Sequence, residues 1–112
     1  MVKIIWTQRS LTDLKSIAEY ISKDSVKYAF LTLERIIDVT KYIETNPRIG
    51  RMVPEMGRND KIREIIFGNY RIIYKIAKTM TVYILTVHHS AKRLRQTSLK
   101  GQKEGGEKRN TL

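Results

Sequence analysis

The chain opens on a short β-branched and aromatic run, Val2 to Trp6 (VKIIW), which predicts a first strand. Thr7 or Ser10 then offers a helix N-cap, with Asp13 in the first turn after Ser10. Leu11, Leu14, Ile17, Ala18 and Ile21 follow at spacings of three and four, an apolar stripe on one helix face. Asp24-Ser25 breaks the pattern and caps a second helix. Its stripe is Val26, Ala29, Leu33, Ile36, Ile37, Thr40 and Ile43, ending at Asn46 before Pro47. The short connection makes the pair an antiparallel hairpin whose stripes need a cover, which a sheet supplies.

Alternation takes over after a long loop, Asn46 to Lys61 (NPRIGRMVPEMGRNDK), marked by its glycines and prolines. Loops longer than about 12–15 residues in compact domains are often functional. Strands are predicted over Lys61–Phe67, Tyr70–Ala77 and Met80–His88, joined by turns at Gly68-Asn69 and Lys78-Thr79. "HSAKRLRQTSL" predicts a short basic C-terminal helix. The expected fold is therefore α+β: an N-terminal strand, a helical hairpin, and a three-stranded antiparallel meander completing a four-stranded sheet. One domain is expected over residues 1–98. Residues 99–112 are polar, Gly-rich and without periodicity, and are expected to be a disordered tail.

Pairing across Gly68-Asn69 divides the hairpin into two faces, because directly opposed residues share a side. One carries Arg63, Ile65, Phe67, Tyr70, Ile72, Tyr74 and Ile76, and should lie on the helices. The other carries Ile62, Glu64, Ile66, Arg71, Ile73 and Lys75, and is expected to be open. There Arg71 rises from a floor of isoleucines. A solvated face decorated with Arg, Lys and Glu is the plain structural alternative.

Charge adds a partner class. Lys and Arg number 22 against 11 acids, a net charge of +11. That field favours a polyanion or an acidic protein. The absence of cysteine excludes disulfides and thiolate metal sites. The N-terminal apolar run is too short for a secretory signal, and no segment approaches the ~20 apolar residues of a membrane span. A soluble cytoplasmic protein is expected.

"WTQRSLTDLKSIAEYI", "NPRIGRMVPE", "IREIIFGNYRIIYKI" and "VYILTVHHSAKRL", in that order and spacing, resemble the RelE/ParE family of type II toxin–antitoxin toxins. The resemblance covers about Trp6 to Leu94, and the opening helix and the "GR.VPE" loop are closest to the ParE branch. It implies a RelE-like fold with a concave basic surface, a cognate antitoxin, and no cofactor or metal. It also divides by mechanism. ParE-type toxins inhibit growth by poisoning DNA gyrase, and serve in plasmid stabilisation. RelE-type toxins cleave mRNA in the ribosomal A site without a metal.

The nuclease chemistry needs a base for the 2′-hydroxyl, an acid for the leaving oxygen and cations for the phosphorane. By resemblance, Arg71 matches the phosphate-contacting arginine and Glu55 the general base of YoeB-like members. His89, or its neighbour His88, lies near their general acid. Arg51, Arg63, Lys75, Lys92 and Arg93 complete the expected target- or phosphate-binding set. The sequence departs from RelE where that toxin carries two lysines, since Ile62 and Glu64 stand here. Glu55 could equally pair with Arg51 or Arg58, and a strand-end histidine could cap a turn. Three functions follow: a gyrase-binding toxin, a ribosome-dependent mRNA endonuclease, or a nontoxic basic nucleic-acid-binding module. The last needs exposed aromatics for base stacking, and the second and third strands offer none on the face expected to be open.

Overall fold

The computed structural model describes residues 1–90. β1 (Lys3–Trp6) leads into α1 (Gln8–Ser22) and α2 (Val26–Thr45). A two-residue β2 (Arg51–Met52) and a 3-10 turn (Pro54–Met56) follow. β3 (Ile62–Phe67), β4 (Tyr70–Ile76) and β5 (Thr81–His89) complete the sheet. Its strand order is β1-β5-β4-β3-β2, with β1 parallel to β5 and the other pairs antiparallel. The expected α+β architecture holds, but the sheet has five strands. The extra strand is too short to carry a periodicity. The expected C-terminal helix and the 99–112 tail lie outside the described residues. Among those described, no helix is long and apolar enough to cross a membrane.

Both helices start where a hydroxyl can accept from the third residue on. Thr7 accepts from the Ser10 N–H at 3.1 Å, and Ser25 from the Tyr28 N–H at 3.0 Å. Thr7 is fully buried and does more than cap, because its hydroxyl donates toward the Ile84 and Leu85 carbonyls of β5. β1 stops opposite Ile84, and α1 takes over the edge of β5 beyond it. Asp13 of α1 accepts from the Val87 N–H at 3.0 Å and from the Thr86 hydroxyl. A β-bulge lies at this point: Ile73 faces Thr86, Tyr74 faces Ile84, and Leu85 is the extra residue.

The main core joins the helices to one sheet face. It contains Trp6, Leu14, Ile36, Ile43, Ile72, Tyr74, Ile84 and Val87, with Ile65, Phe67 and Tyr70 packed against it. The hairpin register, from Phe67 opposite Tyr70 to Ile62 opposite Lys75, matches the pairing expected across Gly68-Asn69. On α2 the buried line is Ala29, Thr32, Ile36, Thr40 and Ile43. Val26 and Ile37, expected in that stripe, are exposed at 74% and 36%. The sheet covers only a narrow strip of this long helix, so its flanks stay outside.

The second sheet face is not open as expected. Val53, Ile62, Ile73 and Leu85 form a second buried cluster, with Met56 and Tyr83 against it. The loop through β2 and the 3-10 turn folds over the sheet and supplies Val53 as a lid. Gly50 lets it turn in, since a Cβ there would sit 2.6 Å from the Glu64 carbonyl oxygen and 2.7 Å from the Tyr74 hydroxyl. Buried Tyr74 ties the loop from below, accepting from the Gly50 N–H at 2.9 Å and donating to the Pro47 carbonyl at 2.6 Å.

Candidate functional site

Under that lid, side chains on one face of four strands fall into line. Arg51 of β2 is opposite Glu64 of β3, and Glu64 is diagonal to Arg71 of β4, which is opposite His88 of β5. Glu55 descends from the 3-10 turn onto the same row. The Arg71 guanidinium donates through its two terminal nitrogens to both oxygens of Glu55, each at 2.8 Å. Its Nε donates to Glu64 at 2.6 Å, and Arg51 Nε donates to the other Glu64 oxygen at 2.7 Å. The Glu64 side chain is wholly buried and Arg71 is 12% exposed. Two arginines and two glutamates make the cluster electroneutral.

Paired, charge-assisted bonds of this kind are strong and geometrically selective. The Arg71 guanidinium at its oxygens holds the Glu55 carboxyl at about 2, far below its ordinary value. The bonds to Glu55 and Glu64 in turn push Arg71 further up, so it stays a cation. Chemically, the cluster fastens the loop to the sheet. Arg71 presents its fork to protein carboxylates, and a phosphate would have to displace Glu55 to reach it.

The remaining expected residues separate. His88 shares the Arg71 face. His89 is opposite Tyr70 on the helix side, in edge-to-face contact with ring centroids 5.5 Å apart. Arg63 belongs to the helix-side face and clamps the loop, donating to the Asp60 and Gly50 carbonyls at 2.9 and 2.8 Å. Lys75 lies at the far end of the Arg71 face, opposite Ile62. Lys92 and Arg93 fall outside the described residues. Glu55 pairs with Arg71 and not, as the sequence alone allowed, chiefly with Arg51 or Arg58. Glu64, expected on an open face, is the buried hub of the cluster. Its diagonal position from Arg71 was the signal that could have found it.

A family model described as "ParE toxin of type II toxin-antitoxin system, parDE" matches residues 4–94. No curated protein sequence matches the chain closely. Among solved structures, a chain described as "Chromosomal ParDE TA system from P. aeruginosa" superimposes with a TM-score of 0.65 at 17% identity, covering 80% of this chain and 96% of that one. At that identity the likeness speaks for the fold alone, and the family rests on the match that spans β1 through the end of β5. The chain belongs to the ParE toxins of type II toxin–antitoxin systems.

Proposed function

We propose that this toxin arrests growth in the cytoplasm by a binding mechanism, with DNA gyrase as its target and a cognate antitoxin as its neutralising partner. The observation that carries the mechanism is the lock on Arg71. A general base works best with a pKa near the operating pH. Glu55 lies at about 2 with both oxygens engaged, so it is a poor base, and the guanidinium it holds is withdrawn from phosphate. Family membership supports the antitoxin and the gyrase target. The net charge of +11 suits a partner with an acidic surface.

A second reading, a metal-free mRNA endonuclease using Glu55, Arg71 and a histidine, draws support from one placement. His88 is opposite Arg71 on the face that Glu55 reaches. One experiment separates the two. The protein is induced in cells, and RNA 5′-ends are mapped alongside gyrase-dependent DNA breaks. Breaks without new codon-phased mRNA ends are expected. Such ends, lost in Arg71→Ala, would overturn the gyrase reading. No arrest and neither signature would overturn the toxin activity itself.

A further inference from the structure

Around the β4–β5 turn the charge is of one sign. A hollow of about 420 Å3 lies there, lined by Lys61, Lys75, Ile76, Ala77 and Lys78, with no carboxylate among them. Lys3 of β1 joins the group from the other side of the turn. It is exposed and opposite Thr81, the first residue of β5. Lys75 is opposite Tyr83, two residues further on, so Lys3 and Lys75 share a face. Asp60, the acid next to Lys61 in the chain, is taken up by Arg48 at 2.8 Å. Lys3, Lys61 and Lys78 form no ion pair among the described residues. A second observation falls on the same turn. Met80 has φ +56° and, among the described residues, is the one non-glycine with a positive φ. Glycine or asparagine normally takes that conformation. The backbone is pinned on both sides: the Met80 carbonyl accepts from the Lys3 N–H at 2.9 Å, and the Thr81 carbonyl from the Ala77 N–H at 2.8 Å. The side chain so presented is 65% exposed. Backbone strain of this kind gathers at functional sites.

We propose that this turn is a contact site for duplex DNA, in which the four lysines meet phosphates and Met80 enters the minor groove as an apolar wedge. The spread of the lysines selects an extended polyanion. Lys3 and Lys61 belong to the first and fourth strands of the order β1-β5-β4-β3, roughly 14 Å apart at about 4.8 Å per strand, too far for one phosphate to bridge. The residue type speaks against a protein partner, because lysine is depleted from the centre of protein interfaces, whereas ammonium groups serve phosphates well as point charges. Met80 selects the duplex. Methionine is among the side chains that enter the minor groove of DNA and part a base step, kinking the helix. A-form RNA offers a shallow minor groove read through its 2′-hydroxyls. The inference concerns this surface alone and holds whichever target the toxin has.

The test titrates the full chain into a DNA duplex of about 20 base pairs carrying a fluorophore pair at its ends, at several salt concentrations. Lys3→Gln, Lys61→Gln, Lys75→Gln and Lys78→Gln should each lower the slope of log affinity against log salt by about 0.9, the share of one phosphate contact. Lys15→Gln, Lys23→Gln and Lys27→Gln, on the helical hairpin, should leave the slope unchanged. Met80→Gly separates a wedge from a mere turn residue. It relieves the backbone, so the unfolding midpoint should rise, while affinity falls and the wild-type approach of the duplex ends is lost. Equal slope changes in the two lysine sets would overturn the site, since net charge alone would then carry the binding. Unaltered affinity and bending in Met80→Gly, or no binding of the duplex, would overturn it as well. Amide shifts at Lys75–Met80 with inorganic triphosphate, duplex RNA or phosphatidylserine vesicles, but none with duplex DNA, would overturn it in favour of the ligand that gives them.

Discussion

Arg71 and Glu64 illustrate how differently two charges on one face can be held. Glu64 has no contact with solvent and accepts from two arginines, Arg51 and Arg71, whereas Glu55 is one-third exposed and accepts from the guanidinium of Arg71. Breaking a buried pair strands a charge, at a cost of about 3–5 kcal/mol. Glu64→Gln is therefore expected to cost in that range in urea unfolding. Glu55→Gln, at the rim, should cost about 1–2 kcal/mol, the scale of a hydrogen bond to a charged group discounted for exposure. An equal loss in both variants would contradict the hub role of Glu64. Acid titration gives a second check. The Glu55 pKa is depressed from 4.5 to about 2 by Arg71, so its stabilisation is complete above pH 4.5 and disappears as pH falls to about 2. The stability gap between the wild type and Glu55→Gln should close over that window and stay constant from pH 5 to 8.

At the scale of elements, the loop that carries Glu55 depends on one tyrosine and one glycine. Gly50→Ala drives a methyl into the Glu64 carbonyl and the Tyr74 hydroxyl, both rigid and buried, so β2 must move. Tyr74→Phe leaves the Gly50 N–H and the Pro47 carbonyl without their buried partner, a loss of about 1–3 kcal/mol. In both variants the amides of Arg51 and Val53 should exchange faster than those of β4. Uniform acceleration across the sheet would mean the loop is not a separate unit. The inward side of Tyr74 is legible in the sequence itself, because a two-residue turn fixes the register from Phe67-Tyr70 outward. Both helices and their caps are legible for a similar reason: the signals are local. The lid is not. Its two-residue strand shows no alternation, and Val53 is buried by a fold-back that depends on Gly50 meeting a tyrosine 24 residues away. Without the lid, the Glu64 face reads as open and Arg71 as available. The bulge at Leu85 hides for the same reason, since one extra residue leaves the apolar run from Val82 to Val87 unchanged in appearance. The histidines show what the register adds: adjacent in sequence, they end on opposite faces.

For the whole molecule, the electrostatics separate into two regimes. The cluster under the lid is neutral in sum and mostly buried, while the chain carries +11. Seven of the 22 basic residues, against two acids, follow Ser90 in the sequence, so the excess is not confined to the residues around Arg71 in the chain. Salt screens exposed charge within about 10 Å at 0.1 M but reaches buried pairs far less. The association rate with the proposed gyrase target, or with an acidic partner protein, should therefore fall steeply between about 0.05 and about 0.3 M salt, as electrostatically steered encounters do. Over the same range the stability difference between the wild type and Glu64→Gln should barely change. Stopped-flow association and urea unfolding at matched ionic strengths measure the two separately. A flat association rate would remove long-range charge from target capture and leave the contacts of the docked state to provide it. A stability difference that shrinks with the association rate would mean that water reaches Glu64 and that the loop over Arg71 opens in solution.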